Sequence, residues 1–189
     1  MTTVLDDQID VRTERLWLRP PRESDAARLY ELFNNWEVMR WLAAPPRPYG
    51  PDDARAFIDA RKTPHPDYIT ASITLDGALI GIIAAEVKPA SAVQRERGYA
   101  IGYWLGQPYW GCGYMSEAAR AFLGPVFATI PDDTIYSGAF RNAASLRIQE
   151  KLGFTRDGAA MFYSNPNRKE MPHISTVLTR ARFAAARAA

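Results

Sequence analysis

Cysteine is nearly absent. Cys112 is the only one in 189 residues, so no disulfide can form within the chain. Histidine is almost as scarce. His65 and His173 lie far apart with no Cys or His partner nearby, so no metal-ligand spacing exists and no metal is expected. An excess of one charge is missing too: 23 Lys+Arg against 21 Asp+Glu leaves +2, too weak a field to recruit nucleic acid or an anionic membrane. Long apolar runs are lacking. The longest, Ala78–Ala85, is far short of the roughly 20 residues that span a bilayer. The opening MTTVLDDQID is acidic where a secretory signal would be basic and then apolar. These absences together make the cytoplasm the expected compartment.

What is present suits an ordinary folded domain. Hydrophobic residues make up 47% and charged residues 23%, which excludes disorder, collagen and coiled coil as global descriptions. There are no repeats, and the proline-rich stretch Pro45–Pro51 is too short to separate domains. The tail Arg180–Ala189 is rich in Ala and Arg and reads as a frayed helix or disordered end.

Periodicity supplies the elements. Arg15–Arg19 alternates as a strand, and Ser24 or Asp25 is placed to cap a helix carrying Ala26, Leu29, Leu32 and Phe33. Gly50-Pro51-Asp52-Asp53 reads as a second helix start. Tyr68–Leu75 alternates strictly, Asp76-Gly77 suits a type I′ hairpin turn, and Ala78–Val87 returns as a strand. Gly98–Leu105 is the next strand. Met115, Ala118, Ala119, Phe122, Leu123 and Val126 then form a helical stripe, which Gly124-Pro125 should kink or shorten. Thr134–Phe140 is a strand, and a helix capped by Asn142 ends before Gly153. Phe154–Tyr163 and His173–Thr179 are the last strands.

Two segments carry chemistry. In Gly98–Arg120 a strand runs through a turn containing Gly111 and Gly113 straight into a helix. Backbone N–H groups at such a helix start form an anion-binding concavity, and glycines let a phosphate approach closely. No Gly-Lys-Ser/Thr follows, so it is not a Walker loop. A tight turn alone would also explain both glycines. The second segment, Asn142–Phe154, puts Asn142 and Ser145 on the first turn of a helix that follows a strand; plain helix capping explains it equally well.

Taken together, GYWL, WGCGYMSEAARA and NAASLRIQEKLGF resemble the GNAT superfamily of acyl-CoA N-acyltransferases. With TERLWLRPPRESDAARLYELF and WEVMRWL, the wording is similar to its ribosomal-protein N-terminal acetyltransferase (RimJ/RimL-like) branch. The resemblance implies an α/β, three-layer (α+β) fold. Its mixed, mostly antiparallel sheet would have about seven strands, splayed between the fourth and fifth, with about four helices. It implies one acetyl-CoA-binding domain over 12–179, with tails 1–11 and 180–189.

The resemblance also assigns roles. Backbone N–H groups of Trp110, Gly111, Cys112, Gly113 and Tyr114 would cradle the acetyl-CoA pyrophosphate. The pantetheine arm would lie along Tyr103, Trp104 and Leu105, in the gap between Gly98–Leu105 and Thr134–Phe140. Asn142 would bind the cofactor amides and Ser145 would face the thioester sulfur. Trp36, Trp41 and Tyr49 are either acceptor-site walls or core aromatics.

Three positions depart from the family. Pro108 stands where a Gln or Arg is usual, Gln149 where many members have a general-acid tyrosine, and Ala100 where this branch often has a glutamate. The general base is thus open, with Glu96 and Glu86 the nearest carboxylates in sequence. A strong base is dispensable for an α-amine, whose pKa of about 7.7–8.0 lies well below lysine's 10.4. An acyl-cysteine at Cys112 is disfavoured, because no histidine is near in sequence.

The expected activity is direct acetyl transfer in a ternary complex to a primary amine, such as a peptide N-terminus. The alternatives are a small-molecule amine or antibiotic acceptor, or a non-catalytic acyl-CoA-binding module. Nucleic acid and membrane are not expected partners, and a homodimer is allowed.

Overall fold

The alternating segments become strands because each has one apolar face to bury. The computed structural model describes residues 9–91, 94, 96–141 and 143–188. It contains β1 (Val11–Arg12), β2 (Leu16–Arg19), β3 (Tyr68–Leu75), β4 (Ala78–Lys88), β5 (Gly98–Leu105), β6 (Thr134–Phe140), β7 (Thr155–Ser164) and β8 (Lys169–Thr179). These form one sheet in the order β1-β2-β3-β4-β5-β6-β8-β7. The helices are α1 (Asp25–Phe33), α2 (Trp36–Met39), α3 (Pro51–Arg61), α4 (Tyr114–Thr129), α5 (Ser145–Lys151) and α6 (Arg180–Ala188). The α/β class is as expected. The two-residue β1 and the four-residue α2 add to the expected count because such short pieces have no readable period.

Every neighbouring pair runs antiparallel except β5 and β6. Those two run parallel and meet at a single pair, Ala100 with Tyr136. Beyond that apex they diverge, so the sheet is split into two halves by a wedge-shaped gap. Its left half is the β1–β5 meander, whose central hairpin turns at Asp76 and Gly77 with φ of 50° and 83°.

Each face of the sheet has its own core. Phe122, Leu123 and Val126 of α4 and Phe183 of α6 pack on Leu18, Ile73, Ile101, Ile135 and Leu178. Leu29, Phe33, Ala54 and Ile58 of α1 and α3 pack on Leu79 and Ile82 on the other face. Phe122 has no exposed surface, and truncating a residue of its kind to Ala costs about 3–5 kcal/mol.

Three local expectations change. Pro125 neither ends nor shortens α4, which runs on to Thr129, because the buried Val126 and Phe127 hold the last turn in place. Arg180–Ala188 is a docked helix rather than a frayed end: Phe183 is buried and contacts Phe127 at a ring separation of 5.6 Å. The Asp25 carboxylate makes no N-cap bond to α1. It turns inward to Arg19, with two 2.7 Å hydrogen bonds.

Candidate active site

The glycine turn is shaped as an open cradle. Gly111 and Gly113 have φ of 77° and 81°, a region that disfavours side chains. A Cβ added at Gly111 would meet no atom within 4 Å, so the loop's concave side is open. Gln107–Tyr109 forms a short 3₁₀ turn, in which the Trp110 N–H donates to Gln107 O at 3.2 Å. That N–H is therefore occupied, and Trp110 is removed from the expected set of donors. The N–H groups of Gly111, Cys112, Gly113, Tyr114, Met115 and Ser116 have no acceptor among the described residues. They converge at the start of a 16-residue helix, whose dipole favours an anion there.

A brace from the far end of the chain holds this loop. The Arg15 guanidinium donates to Cys112 O at 3.0 Å and to Glu117 Oε2 at 2.7 Å, and lies 4.6 Å from the Tyr114 ring centre. Glu117 Oε1 also accepts from Thr13 Oγ1 at 2.6 Å and from the Arg15 N–H at 3.0 Å. Burial alone would raise the Glu117 pKa, but the Thr13 and Arg15 donors outweigh it and hold it low. Glu117 stands in the first turn of α4, and nothing local in the sequence links it to Arg15, about a hundred residues away.

The gap between β5 and β6 continues from this cradle as a cleft of about 590 Å³. Its walls include Tyr103, Trp104, Leu105, Gly111, Gly113 and Tyr114 on one side and Ala143, Ser145 and Ile148 on the other. Trp110, also expected at the cofactor, lines it through its side chain. Trp41 and Leu42 close it from the segment after α2. That segment is tied to the β7–β8 turn. Ser164 Oγ donates to Leu42 O at 2.9 Å, and the Asn165 N–H donates to Ala43 O at 2.9 Å.

The apex of the gap is sealed by polar groups. Gln149 accepts from Thr176 Oγ1 at 2.8 Å and donates to Ser137 Oγ at 3.0 Å, and Ser137 donates to Ile101 O at 3.0 Å. Gln149 is thus a buried clamp between α5, β6 and β8. The Tyr103 hydroxyl donates to Ser145 O at 3.2 Å, and burial raises the Tyr103 pKa.

Other expected site residues lie elsewhere. Tyr49 is buried against Phe33 at 4.8 Å in the α1–α3 core. Burial, and then the charge of Asp53, pushes its pKa up to about 12. Trp36 is exposed, with the Arg47 guanidinium 4.3 Å from its ring centre. The Glu86 carboxylate is bound by Arg61 at 2.5 Å and by Lys88. Burial alone would raise its pKa, but those cations hold it low, which makes it a poor base. Glu96 is exposed and Cys112 is exposed; neither, nor Glu86, Trp36 or Tyr49, lines the cleft. Sequence proximity misplaced the two glutamates: Glu86 on β4 lies level with the apex, opposite Ala100, and Glu96 precedes β5, so neither sits at the widening end. Asn142 lies outside the described residues.

A splayed sheet with a glycine-lined helix start at the mouth of the gap defines an acyltransferase class of site. The chain matches the acetyltransferase (GNAT) domain family over residues 15–155 and belongs to it. It is an acyltransferase. It is 28% identical over 153 residues to a Bacillus subtilis protein provisionally named ribosomal N-acetyltransferase YdaF, covering 78% of this chain and 81% of that one. Its fold matches the Salmonella typhimurium acetyl transferase that modifies the N-terminal serine of ribosomal protein L7/L12. That match has a TM-score of 0.72 at 18% identity, over 88% of this chain and 96% of the other. It also matches the microcin C7 self-immunity acetyltransferase MccE, solved with acetyl-CoA and AMP: TM-score 0.73, 18% identity, 88% and 93% coverage. Among the described residues no helix is long and apolar enough to cross a membrane.

Proposed function

We propose that this enzyme transfers the acetyl group of acetyl-CoA to the free α-amine of a peptide or protein N-terminus. The observation that carries the reading is the continuity of one cleft, from the open N–H cradle at Gly111–Ser116 through the β5–β6 gap to Ser145. The cradle fits a pyrophosphate: an added Cβ at Gly111 meets only open space, and six donors lack acceptors. Past the Ala100–Tyr136 pair the facing edges of β5 and β6 share no ladder pair, which leaves the backbone of Gly102–Leu105 to meet the amides of the pantetheine arm. Asn142 remains the proposed partner of those amides.

In direct transfer the amine nitrogen bonds to the thioester carbonyl carbon and the C–S bond breaks. Ser145 donates a hydrogen bond to the leaving thiolate, and the proton shed by the amine balances it as the CoA thiol. Among the described residues the cleft walls carry a single carboxylate, Glu37, and it faces Arg40 at 3.6 Å. This environment favours an α-amine, which is partly neutral near pH 7, over a lysine side chain. The test measures CoA release with peptides bearing a free N-terminus, with the same peptides Nα-acetylated but containing lysine, and with small amines. Turnover confined to free N-termini is expected. Turnover with small amines alone would replace this acceptor class, and tight acetyl-CoA binding with no turnover would make the chain a binding module.

A further inference from the structure

Opposite residues of paired strands share a face, and alternate residues change face. The registers therefore place Gly102, Gly138, Tyr136, Ser175 and His173 on the sheet face covered by α1 and α3. Starting from the Ala100–Tyr136 apex, two residues onward on each strand is a glycine: Gly102 on β5 and Gly138 on β6. The gap is thus flanked at one level by two positions without side chains.

Those two positions are filled differently. A Cβ at Gly102 would meet nothing within 4 Å. A Cβ at Gly138 would lie 2.3 Å from His173 Cε1 and 2.9 Å from Nε2. The imidazole therefore leans from β8 across β6, into the space that a side chain at Gly138 would take, toward the gap. The ring is held by Phe140 at 5.9 Å and Phe162 at 5.5 Å. Its Nδ1 is buried without a hydrogen-bond partner, and so is Ser175 Oγ, on the same face.

We propose that His173 is the general base of the acetyl transfer, accepting the proton of the attacking amine on the α1–α3 face of the gap. The proposal rests on the acetyltransferase reading above; His173, like Glu86 and Glu96, is not part of the cleft wall, but unlike them it stands over β6 at the level of Gly138, two residues past the apex. As the C–N bond forms, the amine proton passes to His173 Nε2, the nitrogen over Gly138. The thiolate released by C–S cleavage accepts a hydrogen bond from Ser145 on the opposite side of the sheet, and His173 gives the amine proton up to solvent, from which the departing CoA thiolate is protonated.

Burial holds the His173 pKa below the ordinary histidine value, so the ring is neutral near pH 7. The groups that face it are few. From β6 the same face carries Tyr136, and from β7 the uncharged Ala160, Phe162 and Ser164. On β8 itself the nearest charge on that face is Lys169, exposed at the strand end. On β4 it carries Glu86 and Lys88, already paired with Arg61 and with each other. From the α2–α3 segment, Arg40 and Arg47 are engaged by Glu37 with Trp41 and by Trp36 with Pro166 O.

With two histidines in the chain, imidazole NMR on the intact protein tests this directly, His65→Asn giving the assignment. The His173 ring is expected to titrate below about 6.5 and to shift on addition of acetyl-CoA, while His65 does not shift. His173→Gln is expected to keep the acetyl-CoA Kd within about twofold and to lower kcat with peptide substrates about a hundredfold, abolishing the acid limb of the kcat–pH profile. A His173 resonance unmoved by acetyl-CoA, or a His173→Gln enzyme with the parent kcat and pH profile, would overturn the proposal. If the parent acetylates no peptide, the acceptor reading fails on its own and the NMR result decides the placement of His173. The NMR arm uses the parent ring, so misfolding of the variant cannot mask the answer.

Discussion

Two arginine–carboxylate pairs, built from the same strand and its approach, behave oppositely. Arg19 and Asp25 are 3% and 4% exposed, and their bidentate pair is completed by Ser72 Oγ and the Arg22 N–H, each at 2.9 Å. Arg15 and Glu117 make bonds of similar length, but the Arg15 side chain is 41% exposed and reaches the carbonyl of Cys112. A buried pair costs desolvation and is unforgiving when broken; an exposed one contributes little to stability and is free to orient a loop. The first pair ties α1 to the sheet, and the second sets the direction of the N–H groups at the mouth of the cleft. Geometry is shared, so solvent and location decide the role.

The largest effect should come from breaking the buried member. Asp25→Ala leaves the Arg19 charge unpaired, and the denaturant midpoint should report a loss of about 3–5 kcal/mol. Burial raises the Asp25 pKa, but its donors lower it more, for a net value below the ordinary one. The stability that Asp25 contributes is therefore present above the unfolded value of about 3.9 and lost as pH falls through the lower folded value. An acid unfolding curve unchanged by Asp25→Asn would contradict this.

At the loop that the exposed pair orients, Gly111→Val should weaken acetyl-CoA binding about a hundredfold by calorimetry, since its φ and open face leave no room for both side chain and phosphate. A folded variant with parental affinity would remove the pyrophosphate assignment. Across the cleft, Ser145→Ala should lower kcat by roughly tenfold to a hundredfold with little change in cofactor Kd, because a hydrogen-bond donor to the developing thiolate acts in the transition state. Full activity in that variant would reduce Ser145 to a helix residue.

Breaking the exposed pair sharpens the contrast. Glu117→Gln should cost less than about 1 kcal/mol of stability. It should still raise the acetyl-CoA Kd about threefold to tenfold, as the loop loses its direction. A large stability loss without a change in Kd would place Arg15 and Glu117 with the buried pair instead. The smallest effect belongs to Cys112→Ser. The thiol is exposed and outside the cleft wall, so kcat should stay within about twofold, and a trapped acetyl-enzyme would contradict direct transfer.

Local chemistry made much of this protein readable from its residues. Strict alternation in Tyr68–Leu75, Asp-Gly at a hairpin turn and the apolar stripe of α4 each express a backbone period, and periods survive in a linear string. So do Gly111 and Gly113, because a positive φ ahead of a helix requires them. Through-space relations do not survive in this way. The wedge exists because β5 and β6 share one pair; Arg15 braces a loop about a hundred residues away; Gln149 is taken up by Ser137 and Thr176. Tyr49 faces a core and Glu86 faces cations, although both carry plausible chemistry in the sequence. His173 gains its place beside the gap only when β8 pairs with β6 and a glycine leaves space for its ring. Period and turn chemistry are properties of neighbours along the chain, whereas burial, partner and protonation state belong to neighbours in space.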